Sequence, residues 1–118
     1  MIWLWVFLGG GLGAMGRFGL AQLMSRAVGG FPWATLLANA VGALLIGLAA
    51  GYVAQRAGLR AFWIVGVLGG FTTFSAFSIE TLDLLHQRGA GLALAYVAVT
   101  LVLGLGACWV GLRISGHA

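Results

Sequence analysis

Between Gly66 and Glu80 the chain reads GVLGGFTTFSAFSIE, and this is where its chemistry concentrates. A glycine pair, four hydroxyl side chains (Thr72, Thr73, Ser75, Ser78), three phenylalanines and a carboxylate all lie within one long apolar segment. In hydrocarbon an unpaired backbone group costs about several kcal/mol. A helix that loosens here must therefore line a cavity, a pore or an ion, or be walled in by protein. The alternative is a continuous glycine-rich helix that packs tightly, with each hydroxyl bonded back to its own turn. On this stretch alone both readings stand.

Few other side chains could join it. Asn39 is an amide in an apolar run and shares a helical face with Thr35 and Gly42. It could bond across to another helix or offer its NH2 group to a passing anion. Arg17 lies seven residues before Met24, inside the end of its run. Its charge could snorkel to the interface or stand at the mouth of an aqueous vestibule. Tyr96 and Thr100 are four apart on one face, which continues onto Gly104 and Cys108 and becomes less polar. Glu80, Asp83 and His86 follow one another along one side of a helix end, a pattern of solvated residues more than of a metal site, and Glu80, the deepest, could accept hydrogen bonds from neighbouring helices. Cys108, the single cysteine, can form no disulfide within the chain and reads as a packing residue.

Composition dictates the elements that must carry these residues. The 118 residues are 62% hydrophobic and 7% charged, with a mean hydropathy of +1.09. No soluble domain of this size buries so much apolar surface. At about 20 residues per crossing, the length predicts an all-α integral membrane domain of four spans, at about 2–24, 32–53, 61–85 and 91–112. The apolar start MIWLWVFLGG has no basic leader and reads as the first span, not as a cleaved signal. Pro32, the single proline, starts the second span, where its missing N–H costs nothing. Gly9 with Gly13, and Gly47 with Gly51, have the spacing of helix-contact faces. The formal GxGxxG at Gly11, Gly13 and Gly16 lacks the preceding strand and following acid of a dinucleotide site.

The six cationic side chains are all arginines, scattered singly, so the basic balance predicts interfacial anchors and no nucleic-acid partner. Four spans put Arg56, Arg60 and Arg113 on one side, and Arg26 and Arg88 on the other with Arg17 a little way in. That is hardly a bias, and flanking positive charge is what orients a membrane protein. Insertion in both directions, and an antiparallel dual-topology homodimer, is the expectation.

The segments GGGLGAMGR, PWATLLANAVG and GGFTTFSAFSIE, with the number and order of spans, resemble a Fluc-type (CrcB) fluoride channel subunit. The last of the three is the specific signal. The resemblance implies a passive, fluoride-selective channel that exports cytoplasmic fluoride across the plasma (bacterial inner) membrane. It also implies two pathways in an antiparallel homodimer, and one central structural sodium ion where third helices broken in mid-membrane cross. Residue by residue it implies pore-lining rings at Phe74 and Phe77, a pore amide at Asn39 and a vestibule arginine at Arg17. Polar lining falls on Ser75, Tyr96 and Thr100, the third-helix carboxylate on Glu80, and the sodium ligands on the carbonyls of Gly69 and Thr72. Gly104 and Cys108 depart from the family's hydroxyl track on the fourth helix.

Elementary chemistry is consistent with those roles. Fluoride is small and strongly hydrated, so it leaves water only for close donors, and a phenyl ring presents a positive edge. Binding must also be weak enough to release the ion. A small multidrug-type proton antiporter, the rival of the same size, needs an acid in its first helix, and no acid precedes Glu80 here. With two carboxylates and no nucleophile–base pair, enzyme chemistry has few candidates.

Overall fold

The apolar runs become four helical crossings: α1 (Ile2–Met24), α2 (Trp33–Val53), a third built of α3 (residues 57–71) and α4 (Phe74–Arg88), and α5 (Ala90–Ile114). The computed structural model describes residues 1–24 and 30–116. Arg26, most of the first connection, and the last two residues lie outside the described residues. The long axis measures 45 Å, matching a bilayer of about 40–45 Å with its headgroups. All four crossings are long and apolar enough to span a membrane. Their outward faces, including Phe18, Leu94, Val102 and Leu105, stay apolar and exposed as lipid contact requires. This is a multi-pass membrane protein.

Connections are shorter than expected. The third crossing starts at Ala57 and not near Ala61, so only residues 54–56 link it to α2 and Arg60 lies within the helix. Arg60 is tolerated there because it is exposed and its long stem can carry the charge outward. The turn expected at 87–90 shrinks to Gly89, whose φ of 96° and ψ of 169° reverse the chain in one residue. Pro32 precedes the first helical residue, and its carbonyl accepts from Leu36 N–H at 3.2 Å.

Two helix pairs make the frame. In the first, α1 lies against α3, which runs as a π-helix from Arg60 to Leu68. The expected Gly9–Gly13 face is the contact: a side chain on Gly9 would meet the Phe62 carbonyl, and one on Gly13 the Val67 carbonyl. In the second pair α2 packs on α5, with Gly47 against the Cys108 carbonyl and Gly111 against the Leu44 carbonyl. Backbones this close leave no room for a methyl group. Ser115 closes that contact by donating from Oγ to the Gly47 carbonyl at 3.0 Å.

The second pair also carries α4, which packs mainly on α5 and touches α2 through a small buried core of Leu36, Phe77, Leu84, Ala93 and Tyr96. Helical geometry stops at Phe71, and Thr72 (φ −87°, ψ 154°) and Thr73 (φ −153°, ψ 125°) are extended before α4 begins. Thr73 caps the new helix, its Oγ1 accepting from Ala76 N–H at 3.1 Å.

Candidate functional site

Extended backbone in an apolar element needs partners; α2 supplies them, and α1 braces the helix end beside it. Asn39 clamps Thr73 at both ends: its Oδ1 accepts from the Thr73 N–H at 2.7 Å, and its Nδ2 donates to the Thr73 carbonyl at 3.0 Å. Of the two readings open for this amide, the crossing bond is the one observed. Gly42, one turn along α2, leaves the space that the Thr72 methyl fills. Arg17 turns back onto the backbone, donating from Nε to the Gly70 carbonyl at 3.3 Å. A cation there suits the carbonyl end of α3.

Beside these residues opens a cavity of about 470 Å³, lined by Asn39, Gly69, Thr72, Phe74, Phe77 and Thr100 among others. Phe74 is 78% exposed on the single chain, whereas Phe77 is buried at 9%. Their rings stand 5.7 Å apart and tilted. The aromatic contacts then continue without a gap. Phe77 meets Tyr96 at 5.2 Å, Tyr96 meets Phe31 edge-on at 5.4 Å, and Phe31 meets Trp33 at 4.6 Å. Phe31 and Trp33 border a second cavity of about 290 Å³, which Glu80 and Asp83 also line. Phe77 and Tyr96 thus stand between two openings.

Polar groups accompany the rings. Thr35 donates from Oγ1 to Glu80 Oε1 at 2.6 Å, tying α2 to α4. Tyr96 is fully buried, its hydroxyl beside Thr35 but, among the described residues, in no hydrogen bond of good geometry. The Thr100 hydroxyl is likewise buried without a partner among the described residues. Ser75 is exposed and pairs with the Thr73 hydroxyl at 3.1 Å. Residues from all four crossings therefore meet around Thr72 and Thr73 or along the aromatic ladder. The sequence places Thr35 only on the face of Asn39. It misses the donor role toward Glu80, because the pairing spans 45 residues. The position of Thr35 four residues before Asn39, on the same face, is the available signal.

Comparison with known proteins follows the same full length. The family model described as CrcB-like protein, Camphor Resistance (CrcB), matches residues 4–112. The chain belongs to the CrcB family. A relative from Thermus thermophilus is 48% identical over 118 residues, covering 97% of this chain and 94% of the relative. One from Novosphingobium aromaticivorans is 49% identical over 116 residues, covering 92% and 91%. One from Beijerinckia indica is 44% identical over 117 residues, covering 93% and 92%. Each is named fluoride-specific ion channel FluC. The CrcB match takes in nearly all of α1 and α5 and everything between them, so it includes every element that contributes to the site.

Proposed function

We propose that this chain is the subunit of a passive, fluoride-selective channel of the plasma (bacterial inner) membrane, and not an enzyme. Two copies assemble antiparallel with two fluoride pathways, exporting fluoride from the cytoplasm. The observation that carries this reading is the near full-length likeness, at 44–49% identity, to relatives named as fluoride-specific ion channels.

The site geometry supports the ion path. Phe74 and Phe77 border the larger cavity, and the ladder through Tyr96 leads toward the second opening. Ring edges supply weak positive potential without a full charge that would trap the ion. The Thr100 hydroxyl, which lines the larger cavity, is an available donor, Ser75 adds another near it, and Tyr96 backs the ring of Phe77. Arg17 and Asn39, by contrast, serve this path by holding its backbone wall, since both are bonded to the extended segment or its flank. Glu80, accepting from Thr35, fixes the wall at the other end.

The antiparallel pairing rests on the even distribution of arginines and on the exposure of Phe74, which a second copy would cover. Thr72 and Thr73 then form a break in mid-membrane where two third crossings meet. A sodium ion fits the donor set there. Hard cations prefer neutral oxygens, and Gly69 and Thr72 both border the cavity at the segment where α3 ends. Their carbonyls would hold it, and the ion would supply fixed positive charge and a structural pin.

Purified protein in liposomes tests the proposal. Fluoride should leave down its gradient while chloride is retained, and a sodium gradient should not drive it uphill. Proton movement coupled to a cationic drug would instead indicate the antiporter, and no transport at all a packing subunit.

A further inference from the structure

Had α3 continued as an ordinary helix, the Thr73 N–H would donate to the carbonyl four residues back, that of Gly69. Here that amide goes to Asn39 Oδ1 at 2.7 Å. The first consequence is that Gly69 loses the donor that a continued helix would supply. The carbonyls on either side of it are engaged. Leu68 accepts from both the N–H and the Oγ1 of Thr72 at 3.0 Å, and Gly70 accepts from Arg17.

The second consequence concerns direction. The Thr73 N–H and the Thr72 C=O belong to one peptide unit, and it is trans. In a trans peptide the two groups point opposite ways. A bond that draws the N–H toward α2 therefore sends the Thr72 carbonyl away from α2. The second bond of the clamp, from Nδ2 to the Thr73 carbonyl at 3.0 Å, stops the unit from swivelling. Gly42 fixes the same residue from below, because only its lack of a side chain admits the Thr72 methyl.

We propose that Asn39 is the positioning residue of the cation site. By one bond it keeps the Thr73 amide off the Gly69 carbonyl and aims the Thr72 carbonyl. The proposal rests on the sodium reading above. It gives Asn39 a duty toward the cation that its place beside the fluoride path does not suggest.

The test reads sodium binding and not fluoride flux. Thermal stability of the intact protein in detergent is followed while sodium replaces N-methylglucamine at constant ionic strength. Asn39→Leu keeps the volume but has no acceptor, and should raise the sodium concentration giving half the stabilisation at least tenfold. Asn39→Asp keeps an acceptor and should stay within about threefold of wild type or bind more tightly. Gly91→Ala, outside both the clamp and the cavity, should leave the midpoint unmoved. An unchanged midpoint in Asn39→Leu overturns the proposal. If that variant does not fold, a tenfold weaker midpoint in folded Asn39→Asp overturns it equally. A wild type indifferent to sodium removes the cation reading and this proposal together, whereas a responsive wild type with an unaltered Leu variant removes only this one.

Discussion

Two neighbouring phenylalanines with the same side chain occupy opposite environments, and the contrast separates their duties. Phe77 is wedged between Phe74 and Tyr96 inside the core, while Phe74 faces outward from the single chain. Replacing Phe77 by Ile removes the ring edge while keeping an apolar side chain. Fluoride efflux should fall at least tenfold with the proposed dimer still assembled; undiminished efflux from an assembled Phe77→Ile protein would remove the ring-edge mechanism. Thr35→Val takes the donor from Glu80 without changing shape. Interhelical bonds in membranes are worth about 0.6 kcal/mol, at most about 1.7, so stability should fall by about 1 kcal/mol and Thr35→Ser should restore it. Equal denaturation midpoints for all three proteins would show that the 2.6 Å bond contributes nothing. At this scale the sequence is legible where a side chain's chemistry demands a partner, as for the Asn39 amide, whose bond across to Thr73 is one of the two readings open to it. It is illegible where the partner is remote. Nothing near Arg17 in the chain indicates that its guanidinium meets Gly70, 53 residues away.

Glycine contacts decide how the elements meet. Gly9 and Gly13 let α1 lie backbone to backbone on α3, and their spacing predicts the face. A Val at Gly13 would enter the Val67 carbonyl. Overpacking of this kind costs about 1–3 kcal/mol, a fall in melting temperature on the order of 5–15 °C for a domain near this size. Gly91→Ala, where nothing lies within 4 Å, should leave the melting temperature unchanged or slightly raised. Similar melting curves for Gly13→Val and wild type would mean that the α1–α3 contact is not tight. Element ends are less legible. Arg60 reads in the sequence as an interface marker outside the helix, but an exposed arginine can sit within a helix and still reach water. The π-helical winding of Arg60–Leu68 leaves no signature in the hydrophobic pattern, which reports burial and not the pitch of the coil.

At the scale of the whole molecule the proposed channel needs two copies of opposite orientation. The six arginines, spread over both ends, give the insertion machinery little to act on. Three lysines added to the connection at 54–56 should bias every copy one way, leaving a protein that is inactive alone. A second variant with lysines flanking Gly89 should be biased oppositely, and the two co-expressed should recover fluoride transport. Full activity of either variant alone, with a single orientation verified by labelling, would exclude the antiparallel dimer. The central claim of selective, passive fluoride conduction is tested most directly by ion-electrode recording of liposomes loaded with fluoride or chloride, with a potassium ionophore present to balance charge. Fluoride should empty rapidly down its gradient and chloride should stay inside; comparable loss of both ions, or retention of fluoride, would contradict the account.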